Sequence, residues 1–198
     1  NLTLRKGSED HYDTVFCCGE HHERELRQME ELDNTPRKKL VEWGYCLLDD
    51  MIRDYEAMDK PEHAKPVILI APSWQEGNIV DSCLDDILTG LSGKGYHVVV
   101  RPHPQHIRHK RAYMEALAEK FRSDPDVEIQ LDFSSDSTVF GADVLISDWS
   151  SIAFEFAYTT LKPVLFINTP MKVMNPDYDK IAEVPIDIAV RNEIGRAL

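Results

Sequence analysis

The sequence predicts an α/β fold with a doubly wound, mostly parallel sheet. Between residues 67 and 167, short runs of aliphatic and β-branched residues alternate with longer amphipathic runs. The short runs are continuously apolar, which is typical of parallel strands buried on both faces. Connections of helical length between such strands imply crossovers that cover both faces of one sheet.

Each element of this domain follows from its own pattern. Apolar residues three and four positions apart, such as Leu84, Leu88 and Leu91, indicate a helix, and Gly93 favours its end. The predicted strands are residues 67–71, 96–100, 127–131, 143–147 and 163–167. The predicted helices between them are residues 81–91, 113–121, 134–140 and 150–158.

The first 60 residues differ in character from the rest. Residues 14–18 and 40–45 are predicted strands, residues 20–32 and 47–58 are predicted helices, and residues 60–66 form a polar linker bounded by prolines. We therefore expect two parts, a small α/β unit over residues 1–60 and a larger domain over residues 61–198.

Charge and motif content exclude several classes of function. The chain has 22 Lys and Arg residues against 35 Asp and Glu residues, a net charge of −13 that disfavours nucleic-acid binding. No metal site is predicted, because the cysteines lack zinc-site spacing. His103, His106 and His109 are spaced by three, but no acidic partner accompanies them, and the last two are expected on an exposed helical turn.

Two loops that leave predicted strands carry groups suited to an anionic ligand. In the first loop, Ser73 and nearby amides could face a phosphate, or the loop could be a turn with a helix cap at Asn78. In the second loop, Arg101 can contact phosphate with two donors, and His103 can donate a hydrogen bond or transfer a proton. Two prolines that flank His103 restrict this loop.

A third loop opens a helix after the strand at residues 143–147. Ser150 or Ser151 can cap this helix, whose N-terminal amides form a natural phosphate site. Glu155 lies four residues after Ser151 and could accept hydrogen bonds from a ribose diol or simply face solvent. Asp148 is expected either to orient the loop or to contact the ligand.

Together these segments resemble one known family. The sequences APSW at residues 71–74, RPHP at 101–104, SDWSSIAFEFA at 147–157 and KPVLFIN at 162–168 occur in the order found in the CDP-glycerol glycerophosphotransferase family. Residues 44–49 also resemble its Gly-Tyr-Pro-Arg-x-Asp segment but have Cys46 and Leu47 where Pro and Arg are usual.

The resemblance implies a glycosyltransferase-B-like architecture with a Rossmann-like, nucleotide-binding C-terminal domain over residues 61–198. Residues 1–60 would be a remnant of an acceptor-side domain, most of which lies outside the chain. The implied site has His103 as the catalytic residue, and its substrate-binding residues are Ser73, Arg101, Asp148, Ser150, Ser151 and Glu155.

The implied reaction transfers glycerol phosphate, or a similar polyol phosphate, from a CDP-activated donor to a polymer-end hydroxyl and releases CMP. CDP-glycerol would be the donor substrate, no further cofactor is required, and the acceptor would be a teichoic-acid-like polymer. The family works in the cytoplasm at the inner face of the membrane, so peripheral membrane contact is expected through parts outside the chain. Two alternatives stay open: a nucleotide-sugar glycosyltransferase or epimerase of the same architecture, and a non-catalytic nucleotide-binding module.

Overall fold

A computed structural model describes residues 2, 4–60, 62–132 and 137–197. Its strands are β1 (Thr14–Cys17), β2 (Lys39–Glu42), β3 (Val67–Ile70), β4 (His97–Val100), β5 (Val127–Ile129), β6 (Val144–Ser147), β7 (Val164–Phe166) and β8 (Gly195–Ala197). Its helices are α1 (Glu20–Asp33), α2 (Cys46–Ala57), α3 (Ile79–Ser82), α4 (Leu84–Leu91), α5 (Pro104–His109), α6 (Arg111–Phe121), α7 (Ser137–Gly141), α8 (Ile152–Thr160), α9 (Ile186–Ala189) and α10 (Arg191–Ile194). A 3₁₀ turn spans Tyr178–Lys180.

The chain divides into two compact units. The first contains residues 1–49 and 172–191, and the second contains residues 50–171 and 192–198. In the first unit β1 and β2 pair in parallel, with Thr14 opposite Lys39. Helix α1 ends at Asn34, which adopts the left-handed conformation that asparagine tolerates well.

The second unit is built on a six-stranded sheet in the order β5-β4-β3-β6-β7-β8, and every strand pair is parallel. The chain starts at the centre with β3, moves outward to β5, and then returns to β6 and moves outward on the other side. This is the doubly wound order of the Rossmann fold, so the α/β prediction is confirmed.

Hydrophobic residues pack on both faces of this sheet. One face places Leu69 and Leu145 against Phe156 of α8, and the other places Ile70 and Val100 against helices α3 to α6. Full burial of each such side chain stabilises the folded state by about 1.5–3 kcal/mol. This two-sided burial explains why the strand sequences are apolar at successive positions rather than alternating.

The structure departs from the predicted elements by dividing one helix, by adding one strand and by adding the short helices α5, α9 and α10. The helix predicted over residues 81–91 is divided into α3 and α4, because Cys83 leaves the helical conformation with φ −149° and ψ 6°. The sixth strand, β8, was not expected from the sequence. The first part of the helix predicted over residues 134–140 lies outside the described residues, and α7 begins at Ser137. None of the described helices is both long enough and apolar enough to span a membrane.

Candidate functional site

The loops that follow β3, β4 and β6 meet at the carboxyl edge of the sheet. Strands β3 and β6 are neighbours, but the chain continues from β3 to β4 on one side and from β6 to β7 on the other. The crevice between β3 and β6 is therefore the topological switch point, where ligands bind in open α/β sheets. An open cleft of about 170 Å³ lies here. It is lined by Ala71, Pro72, Arg101, Pro102, His103, Pro104, Ser150 and Ile152.

His103 caps the short helix α5 at the rim of this cleft. Its Nδ1 accepts a hydrogen bond from the backbone N–H of Gln105 at 3.2 Å, and Pro104 occupies the first helical position. Since Nδ1 is an acceptor, the neutral ring carries its proton on Nε2. The indole of Trp74 lies beside the imidazole, with ring centroids 6.1 Å apart and planes inclined by 33°. The ring of His103 is therefore held in one tautomer and supported on one side.

Arg101 and Ser150 approach the cleft from two different strands. The half-buried Arg101 follows β4, and its backbone N–H donates to the carbonyl of Ile70 at 2.9 Å. Ser150 precedes helix α8 and is also half-buried. The structure thus brings together a guanidinium, an imidazole and a hydroxyl that were predicted from separate motifs.

Ser151 and Glu155 lie at the start of helix α8, next to the cleft. Ser151 is exposed and occupies the N-cap position, but its side chain makes no capping hydrogen bond, so only its position matches the cap prediction. Glu155 is the fourth residue of the helix and is half-buried. Neither residue lines the cleft itself.

Asp148 and Ser73 lie behind the cleft and are almost completely buried. One oxygen of Asp148 accepts from the N–H of Ser73 at 2.7 Å and from its neighbour Trp149 at 2.8 Å. The other oxygen accepts from the N–H of Ile79 at 3.1 Å. The Ser73 hydroxyl donates to the side chain of Gln75. Of the two roles expected for Asp148, this geometry matches the orientation of the loops.

The expected exposure of His106 is wrong. This histidine was expected on an exposed helical turn, yet only 2% of the residue is exposed, because α5 turns it inward toward α3. Its Nε2 lies 3.1 Å from the side-chain nitrogen of Asn78. The capping role predicted for Asn78 is confirmed, since its Oδ1 accepts from the N–H of Val80 at 2.7 Å. A sequence pattern could not place these two residues in contact.

No metal site is found in the part of the chain that the structure describes, where no three His, Cys, Asp or Glu residues form a group suited to an ion. The series His103, His106 and His109 does not converge, because His103 faces the cleft, His106 is buried and His109 is exposed.

Comparisons with known proteins identify a matching family. The sequence profile of CDP-Glycerol:Poly(glycerophosphate) glycerophosphotransferase matches residues 6–175. No curated protein matches the sequence significantly.

Several solved structures are similar to the chain. A variant of the wall teichoic acid polymerase TagF soaked with CDPG is 20% identical to this chain, with a TM-score of 0.47. The aligned region covers 78% of this chain and 37% of the TagF chain. Another structure of TagF is 17% identical, covers 100% of this chain and 54% of its own, and has a TM-score of 0.48. The C-terminal domain of LpcC, a group 1 glycosyl transferase family protein from Francisella tularensis, is 14% identical over 75% of this chain and 72% of its own, with a TM-score of 0.42. The chain spans 37% of the length of the first TagF structure and 54% of the length of the second.

Proposed function

Because the chain belongs to the CDP-glycerol:poly(glycerophosphate) glycerophosphotransferase family, we propose that it binds a CDP-activated polyol phosphate for transfer to a polymer. The observation that carries the proposal is the convergence of Arg101, His103 and Ser150 on one cleft at the switch point of the sheet. These groups suit an anionic ligand, and they stand out on a chain whose net charge is −13.

The donor's pyrophosphate lies, in this proposal, between the loop at Arg101 and the first turn of helix α8. Arg101 supplies two parallel donors to phosphate oxygens, and the helix end supplies its partial positive charge. The hydroxyls of Ser150 and Ser151 add further donors. Glu155 accepts from the ribose diol, and Ser73 and Asp148 fix the loops.

The proposed reaction is an in-line displacement at the β-phosphorus of the donor. The oxygen of the acceptor hydroxyl forms a bond to this phosphorus, and the bond from phosphorus to the bridging oxygen breaks. CMP leaves, and the hydroxyl proton passes to a base that we do not assign within this chain. His103, whose proton lies on Nε2, donates to a phosphoryl or leaving-group oxygen and offsets the charge that develops there.

The acceptor and the cellular location are part of the same proposal. A teichoic-acid-like polymer with a free terminal hydroxyl is the acceptor, and glycerol phosphate is the unit transferred. The enzyme works in the cytoplasm at the inner face of the membrane, where such a polymer grows.

Heat denaturation in the presence of nucleotides tests the donor. CDP-glycerol and CMP are expected to raise the unfolding midpoint of the chain, because a ligand that binds only the folded state stabilises it. UDP-sugars are expected to have little effect. His103→Ala should abolish the increase, whereas His109→Ala, which removes an exposed histidine six residues away, should keep it.

Each other outcome has a defined meaning. An equal response to UDP-sugars would favour a nucleotide-sugar glycosyltransferase or epimerase. Binding of CDP-glycerol without release of CMP when acceptor is supplied would favour a non-catalytic binding module. No response to any nucleotide would contradict all three functions.

A further inference from the structure

The contact between Asn78 and His106 joins two of the loops that form the candidate site. Asn78 ends the loop after β3, and His106 lies in α5 directly after the loop that carries Arg101 and His103. Both side chains are almost completely buried, with exposed fractions of 1% and 2%. Neither residue lines the cleft, so any effect on the ligand must act through the loops.

The direction of this hydrogen bond follows from the surroundings of Asn78. Its Oδ1 must face the backbone N–H of Val80, from which it accepts a hydrogen bond with an N···O distance of 2.7 Å. Its Nδ2 therefore faces the carbonyl of Gln75, a carboxylate oxygen of Asp81 at 3.3 Å and Nε2 of His106 at 3.1 Å. Nδ2 shares two hydrogens among these neighbours and cannot accept a hydrogen bond, so an N–H on Nε2 of His106 would point at another donor. We therefore assign a neutral ring with its proton on Nδ1.

The remaining nitrogen of the ring supports a role other than simple packing. Nδ1 of His106 is buried and has no hydrogen-bond partner among the described residues. A buried donor without a partner is unfavourable, and an apolar side chain at this position would avoid that cost. Among the described residues, the contact of Nε2 with Asn78 is the hydrogen bond recorded for this ring.

We propose that His106 is a positioning residue of the transferase site, which as a neutral imidazole holds the loop after β3 against the loop that carries Arg101 and His103. This proposal rests on the proposed function. Protonation of Nε2 would set an N–H against the amide nitrogen of Asn78. Asn78 could accept from this N–H only by rotating its amide, which would turn Oδ1 away from the N–H of Val80. The cap of α3 would then be lost, and the loop after β3 would shift relative to the loop that carries Arg101 and His103.

The charges around His106 agree with a neutral ring. Burial lowers the pKa of His106, and the nearby Lys110 ammonium lowers it further. His103 also lowers this pKa, whereas Asp81 on α3 and Asp148 beyond β6 raise it. Lys110 also pairs with Asp81, which reduces the influence of that carboxylate.

The sign of the pH dependence follows from the lowered pKa of His106. The unfolded chain binds the proton below about pH 6.5, whereas the folded chain resists it until a lower pH. The contribution to stability is therefore complete above about pH 6.5 and is lost as the pH falls through the folded pKa. The two loops should lose their fixed geometry, and donor binding should weaken, over the same range of pH.

Three variants separate positioning from packing. His106→Gln supplies a neutral oxygen that can accept from Asn78 at any pH, and His106→Leu fills the space without an acceptor. His109→Gln changes an exposed histidine of the same helix and serves as the control. We expect the affinity for CDP-glycerol to fall about three- to tenfold more in wild type than in His106→Gln when the pH is lowered from about 7.5 to below the lowered pKa of His106. His106→Leu should bind weakly at both pH values, and His109→Gln should follow wild type.

A second measurement is independent of the donor. Nitrogen NMR of the chain labelled in histidine should show the ring of His106, assigned by its absence in His106→Gln, as the neutral Nδ1–H tautomer near pH 7. A protonated ring or the Nε2–H tautomer at that pH would overturn the proposal, as would equal pH dependence of donor affinity in wild type and His106→Gln. If wild type binds no CDP-glycerol while the tautomer is as expected, the proposed function fails and the Asn78–His106 geometry stands.

Discussion

At the scale of single residues, the carboxylate of Asp148 has the largest structural role in the site. It is completely buried and accepts backbone N–H groups from Ser73 and Trp149 at one oxygen and from Ile79 at the other. Ser73 belongs to the loop after β3 and Ile79 is the first residue of α3 at the end of that loop, while Asp148 itself follows β6. One side chain therefore joins two loops that lie on opposite sides of the switch point.

Asp148→Asn is expected to destabilise the chain and to weaken donor binding. An amide keeps one acceptor oxygen but turns its NH₂ toward a backbone N–H, so at least one buried donor loses its partner. The expected loss is about 1–3 kcal/mol in the free energy of unfolding, measured by urea denaturation. Asp86→Asn, at an exposed position in the first turn of α4, should change stability by less than about 0.5 kcal/mol. Equal urea midpoints for Asp148→Asn and wild type would contradict this role.

Single residues also show how far the sequence could predict the site. Arg101, His103 and Ser150 were predicted at one site because each comes shortly after a strongly apolar strand, and parallel strands bring their carboxyl ends to one edge. The structure places all three on one cleft. The burial of His106 could not be predicted, because it depends on how α5 packs against α3. The contact of His106 with Asn78, 28 residues earlier in the chain, has no local signature.

At the scale of elements, strand β8 depends on a glycine. A Cβ atom at Gly195 would fall on the carbonyl oxygen of Val164 in the neighbouring strand β7 and would lie 3.1 Å from the ring of Phe166. Only a residue without a side chain allows the two backbones to pair here. The strand has the sequence Gly-Arg-Ala and lacks an apolar run, which explains why its pattern did not predict a sixth strand.

Gly195→Ala is therefore expected to separate β8 from β7. The measurement is amide hydrogen exchange, in which the N–H groups that join these two strands should lose protection while those between β3 and β4 keep it. Gly90→Ala is a matched control, because a Cβ there meets nothing within 4 Å and the residue lies inside helix α4. That control should gain about 0.5–1 kcal/mol in stability. Unchanged protection of β8 in Gly195→Ala would contradict the steric argument.

The central strands of the sheet could be predicted from the sequence, because burial on both faces requires apolar residues at successive positions. Strands β3, β4 and β6 have inner residues that are almost fully buried, and their apolar runs located them within one or two residues. The division between α3 and α4 was not predictable, because Leu84 and Leu88 keep helical spacing while the backbone at Cys83 departs from it. Apolar periodicity records which residues are buried and does not record where the backbone turns.

At the scale of the whole molecule, the net charge of −13 disfavours binding of extended polyanions but not of a small phosphorylated ligand. A nucleic acid presents many phosphates along its length and requires an extended basic surface, because its affinity comes largely from counterion release. A small nucleotide needs only a few donors. The cleft at Arg101 supplies such donors within an otherwise acidic chain.

We therefore expect the chain to bind a cytidine nucleotide and to show no affinity for RNA or DNA. Fluorescence anisotropy with labelled single- and double-stranded oligonucleotides at a low salt concentration of about 50 mM, which favours nonspecific binding, should give dissociation constants weaker than about 100 µM. Arg101→Ala should reduce nucleotide binding and leave the oligonucleotide result unchanged, because one guanidinium makes no extended surface. Oligonucleotide binding that weakens steeply with salt would contradict this expectation. The steepness of that dependence reports how many phosphates are neutralised at once, and a slope of several units would require a continuous row of basic groups rather than one local site.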